Sequence, residues 1–297
     1  MQEVGNLNFT HETITINNDT LTATISCRGA ELIALSRSGT DYLWSGDPRV
    51  WGQVSPLLFP VVGRQIGDTY SYNGRKYHMP QHGFAMDMDH DLVERTDGSA
   101  ALVLSSSSYG VLREIYPFDF SLRSDFELDG DTLIVKRTVI NAGNSEMFCS
   151  IGEHTGYRLP VGNARFEDCF IEFSEDEDLE RYYLDDEIIV GKEDFLHGRV
   201  IRMTRELFDR GALIFKVPRS KAVTLKNSRD DHSVRVSLDG FENLGIWAKP
   251  GADYVCIEPW NGIASSSGAS DRLEEKESIR RLAPQESETF VMKITIK

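Results

Sequence analysis

Three short stretches set titratable residues among apolar, strand-like neighbours: Gln81-His82-Gly83-Phe84, Ser150-Ile151-Gly152-Glu153-His154 and Cys256-Ile257-Glu258-Pro259-Trp260. Two imidazoles and a carboxylate are the parts that general acid–base catalysis uses, one group taking a proton while another delivers one. No metal-ligand spacing, phosphate-binding glycine loop or nucleophile elbow competes with them. Glu258 directly follows Val255-Cys256-Ile257. It is therefore expected to be partly buried, which raises a carboxyl pKa toward the working range of a base. A structural ion pair with an arginine is the rival reading of Glu258. Pro259 holds it extended, and Trp260 offers a flat apolar face with an indole donor. Pro80 biases the approach to Gln81 away from helix, and Gly83 lets the backbone pass close to a neighbour. His82 thus sits within reach of a ligand, or else is a core histidine bonded to a carbonyl. His154 follows the apolar-leaning strand 147–151 and is expected at its end, with Glu258 on the opposite side of one solvent-reachable pocket. Arg64 closes the run Phe59-Pro60-Val61-Val62-Gly63. It is either a surface charge or a fixed fork of donors for a polar substrate.

Period-two alternation supplies the elements that must position these groups. Leu21, Ala23 and Ile25 keep that beat, and so do Phe118, Phe120, Leu122, Ser124, Phe126 and Leu128. Leu133, Val135, Arg137 and Val139 follow the turn Asp129-Gly130-Asp131, which predicts a hairpin. Val234, Val236 and Leu238 alternate ahead of Asp239-Gly240, and Phe290, Met292, Ile294 and Ile296 make a closing strand. Helices are expected to be few: a turn or two over 193–199, and a loop or short helix followed by strand over 271–281. The acidic stretch 172–187 reads as a solvated excursion. The fold class is all-β, a sandwich or barrel in one domain over residues 1–297.

The 297 residues carry 47 acidic and 32 basic side chains, a formal net charge of -15. Such a surface repels nucleic acid and anionic lipid, so neither is an expected partner. Met1 to Asn6 has no basic or apolar segment of a signal peptide, and no apolar run spans a membrane. The scattered Cys27, Cys149, Cys169 and Cys256 fit buried thiols in the reducing cytoplasm better than disulfides or a zinc site. Acid–base chemistry on a neutral, polar substrate is the reading these features support.

Taken in order, the motifs resemble the aldose 1-epimerase (galactose mutarotase) family, and most nearly its bacterial lactose-operon-associated subgroup. The resemblance runs almost end to end. Ser55-Pro56-Leu57-Leu58-Phe59-Pro60-Val61-Val62-Gly63-Arg64, Tyr72-Asn73-Gly74, Pro80-Gln81-His82-Gly83-Phe84-Ala85, Ser150-Ile151-Gly152 with His154, and Cys256-Ile257-Glu258-Pro259-Trp260-Asn261-Gly262-Ile263-Ala264 carry it. It implies a large twisted antiparallel β-sandwich with few short helices and a sugar site on a concave sheet face. It also implies interconversion of α and β anomers with no metal and no cofactor, by a monomer or homodimer. Glu258 would be the base and His154 the acid. Arg64, His82, Gln81, Trp260 and Asp209 would bind the monosaccharide. Four places depart from the subgroup. Met86 stands where arginine is usual, Glu153 where glycine is usual, and Thr155-Gly156-Tyr157-Arg158 where Pro, Ala, Phe, Asn are usual. Gly211 stands where aspartate is usual, with Asp209 as the neighbouring substitute. These changes point to an altered substrate or a weakened activity, and Arg158 would favour an acidic sugar. The alternatives are a non-catalytic carbohydrate-binding protein on the same fold and a hexose-phosphate or acidic-sugar epimerase.

Overall fold

In the computed structural model, residues 11–297 are described. Met1 to Asn6, read above as lacking a signal sequence, lie outside them. The alternating segments form strands as expected. Leu21, Ala23 and Ile25 are buried along Leu21–Ser26. Phe120–Asp129 and Thr132–Asn141 form the predicted hairpin, with Phe126 opposite Val135. The closing strand is Ser287–Ile296.

Among the described residues the strands assemble into one fifteen-stranded sheet, a four-stranded sheet and two small two-stranded ones. A twisted sheet of that many strands curls on itself. This gives the large twisted antiparallel β-sandwich. One apolar core gathers Ile25, Phe126, Phe173, Leu225 and Ile257. A second gathers Phe59, Tyr116, Phe120, Phe148 and Ile151. The order along the large sheet starts at Leu57–Leu58 and passes through Ile151–Glu153, Tyr254–Asn261, Asn243–Trp247 and Leu213–Lys216 to Cys169–Asp185. Chain segments far apart in sequence thereby meet around Tyr254–Asn261.

Two expectations fail. The stretch 193–199 is strand, inside Ile188–Arg202. The acidic stretch 172–187 is no loose excursion. It belongs to Cys169–Asp185 and the turn that follows, and pairs along its length with Ile188–Arg202. The reason is visible in the alternation: Ile171, Phe173, Leu179 and even Arg181 point inward between acidic neighbours that face water. The 271–281 stretch is as expected, a short 3₁₀ turn at Leu273–Glu275 before the strand Arg280–Leu282. All four cysteines are free and buried. No helix among the described residues is long and apolar enough to cross a membrane.

Candidate active site

The strand Tyr254–Asn261 is buried at every position. Its pleat places Cys256, Glu258 and Trp260 on one face. On one side it pairs with Asn243–Trp247, where Gly245 lies opposite Glu258. On the other side the ladder to Ile151–Glu153 stops at Gly152 opposite Trp260 and resumes with Thr155 opposite Ile257. His154 falls in that break. Its Nε2 stands 3.2 Å from Glu258 Oε2. Glu258 is therefore mid-strand rather than at a strand end. The two groups face one cavity, but they touch side by side instead of standing across a sugar's width, because the interrupted ladder frees His154 to lean toward the carboxylate.

Trp260 is held over bare backbone. A Cβ on Gly152 would lie 2.5 Å from its ring, and one on Gly245 2.6 Å from it. Only glycine permits that approach on both flanks. The indole lines the cavity, and among the described residues its buried Nε1 has no hydrogen-bond partner.

The cavity encloses roughly 270 Å³ and is lined by Gln81, His82, His154, Glu258 and Trp260 together with Trp51 and Trp247. That is near the small end for ligand sites, which run from about 300 to 1,000 Å³, and suits one sugar ring. Trp51 lies 5.2 Å from the His154 ring and Trp247 meets it edge-on at 5.7 Å. The wall carrying Gln53 is tethered nearby by Glu31, whose carboxylate accepts from the Val54 and Ser55 amides at 2.7 and 2.8 Å.

Burial pushes the Glu258 carboxyl well above its ordinary range, and the nearby Glu187 charge pushes it further. Burial pulls the His154 imidazole down to about 3, with His82 acting in the same direction. Opposite shifts on two groups in contact mean that the pair holds one proton between them. His82 is lowered to about 4, first by burial and then by Lys276. The Gly63 amide donates to His82 Nδ1 at 3.1 Å. The neutral ring therefore carries its proton on Nε2; the Gln81 amide nitrogen lies 3.3 Å away, and only the oxygen of that amide can accept from this proton.

The remaining expected residues fall elsewhere. Arg64 does not line the cavity; its guanidinium bonds Asp68 at 2.8 Å and Asp186 at 2.7 Å. Asp209 lines an adjoining depression with Gly211, outside the main cavity. Arg158 is exposed in a separate surface pocket beside Tyr42 and Pro160, so it cannot select an acidic sugar. Glu153 points to the opposite side from His154 and forms a buried pair with Arg137 at 2.7 Å. Met86 does line the cavity, with its sulfur 3.2 Å from the Gln53 amide nitrogen. The sequence reading missed Trp51, Trp247 and Glu187 as lining residues. It also missed Lys276, a buried amine lowered to about 7 by burial, which donates to the Ile263 carbonyl. Trp51-Gly52-Gln53, aromatic and polar within irregular chain, was the one available signal. Among the described residues, donor atoms of His154, Cys256 and Glu258 lie within 4.8 Å of one another. Burial holds the Cys256 thiol far from ionising, so this trio differs from the thiolate sites that divalent metals favour.

Comparison with known proteins places these features. The aldose 1-epimerase family profile matches residues 12–295. The plasmid-encoded protein LacX of Lactococcus lactis subsp. lactis is 26% identical over 301 aligned residues, covering 96% of this chain and 99% of LacX. A galactose mutarotase related enzyme from Lactobacillus acidophilus superposes with a TM-score of 0.92 at 29% identity, covering 96% of this chain and 97% of that one. A galactose mutarotase-like protein from Lactobacillus casei superposes with a TM-score of 0.89 at 26% identity, covering 96% and 100%.

Proposed function

The chain belongs to the aldose 1-epimerase family, and from that premise we propose that it interconverts the α and β anomers of a free monosaccharide by acid–base ring opening. One observation carries the reading: His154 and Glu258 in contact at 3.2 Å within a cavity the size of one sugar. Opening a cyclic hemiacetal removes a proton from the C1 hydroxyl and adds one to the ring oxygen. Both oxygens are bonded to the same carbon, so the two catalytic groups have to stand close together. In the reactive form the shared proton is on His154. Glu258 takes the C1 hydroxyl proton, His154 gives its proton to the ring oxygen, and the bond from C1 to that oxygen breaks. The free aldehyde turns about C1–C2. Ring closure on the other face then returns the proton from Glu258 to the new C1 hydroxyl and that of the attacking hydroxyl to His154. Each group works in both directions, and a pair that exchanges one proton is suited to that. In this reading Trp260 supports the ring face, and His82 Nε2 and Gln81, which line the same cavity, bond its hydroxyls.

The test is anomerisation of an anomerically pure aldose, followed by polarimetry or exchange NMR. The wild-type protein should accelerate it, and Glu258→Gln and His154→Asn should each lose at least a hundredfold, the lower range for one proton-transfer group. A variant at either position that keeps most of the rate would refute the assignment.

A further inference from the structure

The hairpin made by Cys169–Asp185 and Ile188–Arg202 ends in Asp186-Glu187, and both turn residues are left-handed, with φ of 45° and 62°. Side chains other than glycine hold that conformation where their surroundings fix it. Here the tip is fastened on two sides. Asp186 receives Arg64 at 2.7 Å. Just beyond the tip, the Ile189 amide donates to Ser265 at 2.9 Å and the Ser267 amide donates to Ile189 at 2.7 Å. Leu184 and Tyr182 pack on the apolar cluster that contains Trp260. The hairpin thus carries Glu187 onto the wall of the cavity that holds Glu258.

Among the described residues, no lysine or arginine lines that cavity. Arg64 is occupied by two aspartates. Arg210, in the adjoining depression, pairs with Glu193 at 3.0 Å, and Lys276 is bonded to the Ile263 carbonyl. With its one shared proton the His154–Glu258 pair is neutral overall, so among the described residues Glu187 is the uncompensated charge on the lining, and the -15 charge of the whole chain has the same sign. A cationic group on the substrate would find a partner in Glu187, whereas an anionic group would meet the Glu187 carboxylate with no lysine or arginine on the lining to offset it.

We propose that the site selects an amino sugar, an aldose with a protonated amine on the ring, and that Glu187 receives the ammonium while Glu258 and His154 work at the anomeric carbon. This rests on the anomerase reading above and adds the substrate class to it.

The experiment compares a 2-amino-2-deoxyhexose with its parent hexose, its N-acetyl derivative and the matching hexuronate. Binding is read by ligand-detected NMR and turnover by exchange NMR, for wild type and Glu187→Gln. The amino sugar should bind wild type about tenfold more tightly than the neutral sugars, between the effect of an exposed ion pair and that of a charge-assisted hydrogen bond. Glu187→Gln should bring the ratio of amino to parent sugar near unity, and added salt should shrink it in wild type. An unchanged ratio in the variant, no amino preference in wild type, or tighter binding of the hexuronate would each overturn the proposal. Amino-sugar preference without anomerisation of any sugar would sink only the catalytic reading. Anomerisation without the preference would sink only the substrate assignment.

Discussion

Glu258 is 1% exposed, and its nearest basic group is a neutral-leaning imidazole at 3.2 Å. Its folded pKa is raised, so the folded state keeps the proton that an unfolded carboxyl releases above about pH 4.3. The protein therefore has its full stability from this group below that pH, and loses it as pH rises toward the folded value. Glu258→Gln removes the titration while keeping the shape. We expect this variant to be inactive yet to melt higher than wild type at pH 8, with the gap closing toward pH 4. Thermal denaturation across pH measures it, and a variant that melts lower than wild type at pH 8 would show that the ionised pair stabilises the fold. Glu153 is the converse case. The resemblance leads one to expect glycine at this position, yet here a carboxylate takes two bonds from the buried Arg137, at 2.7 and 3.1 Å. Removing one partner of a buried pair strands the other, at a cost of about 3–5 kcal/mol. Glu153→Gly alone should lose roughly that much in urea denaturation, and a second change, Arg137→Met, should restore much of it. Additive losses in the double variant would mean that the pair is not the reason for Glu153.

The strands position the site through their glycines. Gly245 lies opposite Glu258 and directly beneath the Trp260 ring. Gly245→Ala should displace that ring from the cavity wall. Sugar affinity should fall about tenfold or more, the scale of one lost aromatic stacking contact, while the circular dichroism spectrum stays that of a β protein. Unchanged affinity would remove Trp260 from the binding reading. How much was legible in the sequence follows from the same physics. Period two announced Leu21–Ser26 and the 120–141 hairpin, because one face of each is apolar and the other wet. The long Cys169–Asp185 strand was hidden because charged residues such as Glu177 and Arg181 occupy inward positions. Glu177 is satisfied there by the backbone amides of Arg219 and Ser220, and a composition-based reading cannot anticipate such partners. Losing that strand also lost Glu187.

At the scale of the whole chain, net charge was legible and its local arrangement was not. The sequence put Arg64 forward as a donor fork for a polar substrate and Arg158 as a cation for an acidic sugar. Folding ties one to Asp68 and Asp186 and sends the other to a separate surface pocket. The global field and the Glu187 carboxylate then act together, and ionic strength can separate them. The field of exposed charges reaches about 30 Å at 0.01 M salt and about 8 Å at 0.15 M. Glu187 is exposed at the cavity wall, so salt weakens its field too, but at the short range of a bound sugar it is weakened less than that of the distant charges. A hexose phosphate should therefore have a lower kcat/KM than its parent hexose at low salt, and added salt should recover only the part due to the distant charges. The part that persists at 0.15 M should shrink further in Glu187→Gln, which removes the uncompensated cavity carboxylate. The measurement is exchange NMR on the sugar and its 6-phosphate at both salt concentrations. Equal or faster turnover of the phosphate in wild type would show that a cation reaches the site and would undo the electrostatic argument.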